Sequence, residues 1–495
     1  MNKKSKYQLK FNKIPLKFAG LVISLFVLLA GNCFGQSITW QRTYDGIDGV
    51  ADGGYSICKA DGDNFYICGY TTFLPNNKRI YVLKINHFGD TIWTKSIQIG
   101  TTSAGGSCLS SVTSPDDGCV LTGETTYAFT IKVDKNGEVI WNINYGLFGR
   151  QLYEIINTSD GGYIACGRDY EDINDNAFLL KIDSIGNLQW HKTFYSTYWK
   201  NFDCITETNN YDGYLVGGFN KNFQADTTKA ILLKVNQNGD SLWQKQFERN
   251  ISWRIRRIVR IPNGYLIGNN TLINNIGQNS LMRLDENINI IFHKTIASDS
   301  TYKILTDLKI IDQNKYVITS SKQFSSALLF TVDSSGNVIN EKVYYSPDFL
   351  TIRSALPVSN GDILFTGVVD YDTIFTKNDV YALRTDSLLN APPPIGVSNI
   401  NNNVPKNFKL FQNYPNPFNP ETIVYFQLNK YSKLNISIYD VTGKYVTELF
   451  NGVKEKGIHR LNINFNNLKI SSGIYFLKAW SEFGQSETIK LAYIK

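Results

Sequence analysis

Methionine and histidine are scarce in this 495-residue chain, at two and four residues, and no two cysteines form a close Cys-x-x-Cys pair. His87, His191, His293 and His459 stand far apart in sequence, so the ligand spacing of a structural zinc site is missing. No nucleophile elbow, phosphate-binding glycine loop or histidine-based metal motif occurs anywhere. An excess of charge of one sign is missing too. Residues 1–35 hold six lysines and no acid, which leaves 44 Lys+Arg against 43 Asp+Glu, and residues 36–407 carry 33 against 37. A body so balanced gives a nucleic-acid partner no electrostatic support. No metal and no cofactor is expected.

Two segments look like addresses. Lys3, Lys4, Lys6, Lys10, Lys13 and Lys17 precede an apolar run from Phe18 to Gly31, too short for the roughly 20 residues of a membrane helix. Residues 1–35 therefore read as a secretory signal peptide cleaved before Gln36. The rival, a lipid anchor at Cys33, is opposed by Asn32, where a small residue belongs. No transmembrane segment is expected in the mature chain.

Between the addresses lies a repeat. The third copy shows it best, as "LYEIINTSDGGYIACG" and then "AFLLKIDSIGNLQWHKTF", four strands joined by turns. Lys84, Lys132, Lys181, Lys234, Arg283, Thr331 and Arg384 occupy equivalent third-strand positions, at a period in the range of propeller blades. The segment around Trp40 is a fourth strand lacking its first three, and 353–389 supplies three strands lacking a fourth. A ring that closes by joining them is expected, giving an all-β chain with a seven-bladed β-propeller over 36–390. Trp40, Trp93, Trp141, Trp190 and Trp243 recur in the fourth strand, where alternation points each ring toward the adjacent blade. Phe292 and Asn340 replace the tryptophan in the fifth and sixth copies, which should be the least tightly docked. A Pro/Asn-rich linker follows at 391–407. The Asp-x-x-Gly-x-x-x-Trp spacing resembles the repeat of quinoprotein-type propellers, and "DGGY…G…K(I/L/V)D…G…W.K" resembles propellers found ahead of sorting domains. No adjacent cysteine pair is present, which argues against a quinone dehydrogenase.

Residues 408–495 open with Asn413, Tyr414, Pro415, Asn416, Pro417, Phe418, Asn419 and Pro420, a proline-rich stretch that must lie at a sheet edge. Six short strands follow, with turns at "YDVTGK", which contains Gly443, and at "SSGIY", which contains Gly473 and Tyr475. A small antiparallel, Ig-like sandwich is expected. "NYPNPFNP", "IYDVTGK" and "SGIYFLK" together resemble the type A C-terminal sorting domain of the type IX secretion system. The resemblance implies recognition by that machinery and delivery, after the periplasm, to the outer-membrane cell surface or the medium.

The body offers two departures from its own repeat. Tyr195, Tyr198 and Trp199 belong to an aromatic run leaving the third blade, able to stack on sugar rings or simply to pack over the blade edge. Arg254, Arg256, Arg257 and Arg260 fall on the innermost strand of the fifth blade, with Arg254, Arg256 and Arg260 on one side and Arg257 on the other. Such guanidinium groups can take a carboxylate or sulfate, or pair with acids of a neighbouring blade. The acidic loop 169–176 has calcium-like spacing but lacks the glycine and glutamate of a calcium hand. Cys58 can face Cys68 across one hairpin and Cys108 can face Cys119 across another, or all four serve as small buried apolar residues. The function expected is a non-catalytic binding or scaffold module for a glycan or envelope protein. The alternative is an extracellular polysaccharide hydrolase or lyase.

Overall fold

A computed structural model describes residues 38–494 except 46–50, 73–77, 100–104, 172–174, 226, 249–252, 275, 297–300, 323–325, 347–348, 371–377, 393–407, 412, 414, 429–430, 469 and 482–485. The leader, nearly all of the linker and Tyr414 therefore lie outside the described residues. Among those described, every regular element is a strand. The chain divides into two units, one ending at Ala391 and one running from Pro392 to Lys495. Trp40–Tyr44 is placed with the first because its ladder partner is Asn378–Thr385.

The first unit is a seven-bladed propeller, each blade a four-stranded antiparallel sheet. Blades 1 to 6 use consecutive strands over 52–97, 107–148, 150–194, 199–246, 254–296 and 303–345. Blade 7 is built from Phe349–Pro357, Ile363–Asp370 and Asn378–Thr385, with Trp40–Tyr44 as its outermost strand. Innermost strands of successive blades pack on one another, and Phe349–Pro357 packs on Asp52–Lys59. The ring is closed, each blade packing on two neighbours.

Three local features recur because the repeat encodes them. At the end of the third strand, an Asp or Asn side chain caps its own turn: Asp134 Oδ1 accepts from the N–H groups of Asn136 and Glu138, both at 2.8 Å, and Asp183, Asn236, Asp333 and Asp386 do likewise. The turn glycine is required twice over, by its left-handed φ (84° at Gly137) and by its neighbour. A β-carbon on Gly137, Gly186 or Gly239 would stand 3.1, 3.2 or 2.6 Å from the ring of Trp93, Trp141 or Trp190. Each tryptophan thus lies over the turn of the next blade, and Trp190 Nε1 donates to Gln237 O at 3.0 Å. Phe292 covers Gly336 in the same way, whereas Asn340 turns back to Thr331 of its own sheet.

The third-strand cation meets the acid of the first hairpin turn. Lys132–Asp116, Lys181–Asp160 and Lys234–Asp212 pair at 2.7, 2.7 and 2.9 Å, and Lys84–Asp61 repeats the arrangement. At Asp160 burial alone would raise the carboxyl's pKa, but Lys181, Thr158 and the Gly162 N–H outweigh it and hold it below the ordinary range. Arg384–Asp362 is the counterpart in blade 7, at 3.0 Å.

The second unit is a sandwich of two sheets, Phe408–Leu410, Glu421–Leu428 and Gly457–Asn464 in one, and Tyr445–Lys454, Ser432–Asp440, Gly473–Ser481 and Ser486–Tyr493 in the other. Its core contains Val424, Phe426, Ile436, Ile438, Phe465 and Leu477.

Candidate functional site

In every blade the ladder between first and second strands slips by one residue. The extra residues are Tyr55, Leu109, Tyr153, Asp203, Arg256, Thr306 and Arg353, one from each blade in order. A bulge re-aims the side chain it carries, and here all seven line a single cavity of about 380 Å³. Because every blade contributes, that cavity lies on the ring axis. Glu124, Arg254 and Arg257 share its wall.

The bulge has a sequence cause. Opposite the residue before it, five blades place a glycine: Gly69, Gly123, Gly167, Gly218 and Gly367. A β-carbon there would sit 1.7 to 2.0 Å from a carbonyl oxygen of the first strand, so in these five blades only glycine lets the kinked strand approach so closely. Asn269 and Ser320 take this place in blades 5 and 6. The residue after the bulge ties blade to blade: Ser56 Oγ accepts from Ser111 N–H at 3.0 Å, Ser110 Oγ from Ile155 N–H at 3.1 Å, and Glu154 Oε2 from Ile205 N–H at 2.7 Å.

The bulge also corrects the alternation expected for blade 5. Arg254, Arg256 and Arg257 all line the cavity, because the extra residue brings Arg257 round to the wall. Arg260 is displaced to Thr208 and Tyr211. These cations differ in what answers them. Arg254 grips Asp203 through Nε and Nη2, at 2.5 and 2.7 Å. Burial would depress its pKa, but Asp203 outweighs that and raises it. Arg257 Nε lies 2.9 Å from Asp307 and 3.9 Å from Glu154; here too burial is outweighed, by Asp307 and then Glu154, and the pKa is raised.

Arg256 has no carboxylate partner among the described residues. Its Nε donates to Asn270 Oδ1 at 3.2 Å, and its pKa is pushed down to about 9 by burial and then by the neighbouring Arg254. Arg353 likewise has no ion pair among the described residues and lies 5.3 Å over the ring of Tyr55. Blades 5 to 7 thus present two unanswered guanidinium groups, and Glu124 faces the cavity from blade 2. Tyr55 is raised to about 12, by burial and then by Tyr70, so its hydroxyl keeps its proton at neutral pH and can donate.

Tyr195, Tyr198 and Trp199 do not line this cavity. They are exposed by 71%, 40% and 37% at the connection between blades 3 and 4, where Trp199 meets Phe223 edge-on at 4.4 Å. Nor do the described acids of the 169–176 loop stand free: Asp169 and Glu171 pair with Arg150, and Asp175 with Arg168. Among the described residues the one group of acids close enough to share an ion is Asp45, Asp52 and Asp379.

In the second unit the proline-rich motif is pinned to the last strand. Asn416 Nδ2 donates to Lys490 O at 3.1 Å, its Oδ1 accepts from Ala492 N–H at 2.8 Å, and Phe418 bridges Tyr493. Asn413 Nδ2 donates to Pro415 O and Thr422 Oγ1, both at 2.9 Å. Peptides 416–417 and 419–420 are cis. Phe418 is buried edge-on to Phe465, at 4.8 Å, so the motif supplies core as well as edge. Gly443 has φ 82° in a turn capped by Asp440, and Tyr475 Oη donates to Ser471 O at 2.9 Å.

Residues 412–493 match the secretion system C-terminal sorting domain family. The second unit is a type IX sorting domain, and the chain is accordingly a secreted or cell-surface propeller protein handled by the type IX machinery. No curated protein matches the chain. Among solved structures, a protein of unknown function from Bacteroides caccae aligns with 14% identity over 56% of this chain and 93% of its own, at TM-score 0.39. The WD40 domain of Toxoplasma gondii coronin aligns with 8% identity over 70% and 86%, at TM-score 0.41. A protein of unknown function from Dyadobacter fermentans aligns with 9% identity over 70% and 98%, at TM-score 0.40.

Proposed function

We propose that the propeller is a non-catalytic binding module whose axial cavity takes the anionic group of a surface ligand, an acidic glycan first among them. One observation carries this: Arg256 is a guanidinium held in the cavity wall with no carboxylate to answer it among the described residues. Leaving such a charge desolvated is costly unless something binds it. Arg353 lines the same cavity from blade 7, with Thr306 between the two in ring order, so both forks are available to an oxyanion bound there. Tyr55 and Tyr153 offer ring faces for a sugar, and Glu124, opposite, can accept from sugar hydroxyls. A binding reading also suits the exposed Tyr195, Tyr198 and Trp199 as a second, peripheral contact.

Calorimetric titration of the mature protein with uronate-bearing and neutral oligosaccharides of equal length tests it. Binding of the acidic series alone, lost by tenfold or more in Arg256→Gln, about 1.4 kcal/mol, is the expected result. Equal affinity for both series would refute anion recognition, and release of shortened products would favour the hydrolase or lyase reading instead.

We further infer that residues 1–35 carry the chain into the periplasm before the tail takes it onward. Deleting residues 408–495 should leave the propeller in the periplasm; delivery of the truncated form to the surface would contradict this route.

A further inference from the structure

Four sulfurs meet where blades 1 and 2 pack. Cys58 and Cys68 come from the first two strands of blade 1, and Cys108 and Cys119 from the first two of blade 2. Hairpin partnership is ruled out by register. Cys58 faces Tyr66 and Cys68 faces Ser56, while Cys108 faces Gly123 and Cys119 faces Thr113. The contacts cross the blade boundary instead: Cys58 Sγ lies 3.7 Å from Cys119 Sγ, and Cys68 Sγ lies 3.8 Å from the same atom. Cys68 and Cys108 are neighbours too, each thiol acting on the other within the same buried cluster. All four are buried in one apolar cluster with Tyr66, Val82, Leu121 and Phe129.

These contacts form a chain, from Cys58 to Cys119 to Cys68 to Cys108, rather than a mutual set. A thiolate metal centre needs every sulfur within reach of one ion, and among the described residues no such cysteine group exists. A chain of four divides into two touching pairs in one way only, because joining the middle two strands the ends. The sorting domain places the protein beyond the cytoplasm, where disulfides form and persist.

We propose that the exported protein carries two disulfides, Cys58–Cys119 and Cys68–Cys108, both fastening blade 1 to blade 2. Each arises by exchange with a disulfide-bearing oxidant of the extracytoplasmic space. One cysteine thiolate attacks the oxidant's disulfide and expels one of its sulfurs. The partner cysteine then attacks the mixed disulfide and expels the other. Two electrons and two protons pass from the cysteine pair to the oxidant, which leaves as a dithiol. Since the sulfurs are sealed in the folded ring, exchange precedes docking of the two blades. Cys166 and Cys204 make no sulfur–sulfur hydrogen bond among the described residues and remain thiols.

The test uses the full mature protein recovered from a type IX-secreting host, denatured with an alkylating reagent and no reductant, then digested and mapped by mass spectrometry. Label on Cys166 and Cys204 alone, with peptides linked Cys58 to Cys119 and Cys68 to Cys108, is the expected result, and reduction should free four further sites. Label on all six before reduction overturns the proposal. So does a link of Cys58 to Cys68, of Cys108 to Cys119, or of Cys68 to Cys119.

Discussion

The rim of the propeller says the same thing in almost every blade, while its hub says something different in each. Asx-capped turns, turn glycines covered by the preceding blade's aromatic ring, and lysine–aspartate pairs recur around the rim. At the hub the seven bulged residues run through tyrosine, leucine, aspartate, arginine and threonine. Both rings are built from the same backbone, so the contrast lies in what each asks of a side chain. A turn or a docking contact accepts few solutions. A cavity wall accepts any residue that its occupant requires. Repetition therefore marks what holds the ring together, and variation on a repeated backbone position marks what the ring is for.

The sharpest way to break this contrast lies within the hub. Arg257→Gln removes the nearer of the two cations that answer Asp307, which is 1% exposed, and should destabilise by about 3 kcal/mol because, among the described residues, only Lys309, at 3.7 Å, is left to answer a buried carboxylate. Chemical denaturation would read this, and a neutral result would make the hub as tolerant as a surface. Next, at the rim, Trp190→Ala uncovers Gly239 and removes the bond to Gln237 O. A loss of about 3 kcal/mol is expected, visible in calorimetry as a lower melting temperature. Asp160→Asn should cost less, about 1–2 kcal/mol, since the carboxylate is half exposed and screened.

The same pairs set an acid limit. Asp61, Asp116, Asp160 and Asp212 are all held below the ordinary carboxylate range; burial is opposed and outweighed by the lysine in the first three, and Thr208 and Lys234 lead at Asp212. A lowered folded-state pKa contributes stability that is present above the unfolded value of about 3.9 and is lost as pH falls through the folded value. Melting temperature should therefore be flat from neutrality to about pH 5 and drop below about pH 4, with a shallower drop in Asp160→Asn. Smallest of all, Arg256→Gln should leave stability within about 0.5 kcal/mol of the parent or raise it, because it removes an unanswered charge. A large destabilisation there would show Arg256 to be part of the framework.

The blade count and the closure at Trp40–Tyr44 were legible because turn residues and period-two alternation repeat with the blades. The sandwich strands were legible for the same reason, with boundaries extended by a few residues, as at Tyr445–Lys454. Arg254 and Arg256 were legible as wall residues, but their neighbours Tyr55, Tyr153, Asp203 and Arg353 were not. A bulge adds one residue without changing composition, so simple alternation set Arg257 apart from Arg254 and Arg256 and grouped Arg260 with them, the reverse of what the structure has. The glycine opposite five of the seven bulges, in "CG" or "TG" at four of them, was the available signal, readable only by asking why a strand interior would forgo a side chain. Of the two readings of the cysteines, hairpin pairing fails because proximity in sequence is not register, whereas their burial in an apolar cluster holds; the sulfurs nearest Cys58 and Cys68 come from the next blade.

Trp40–Tyr44 belongs to the same sheet as Asn378–Thr385, more than three hundred positions later. A chain emerging amino end first must hold this first strand unpartnered until almost the whole body has been made. No shortened body ending before Asn378 can seat its opening strand, so a nascent fragment stays marked as unfinished.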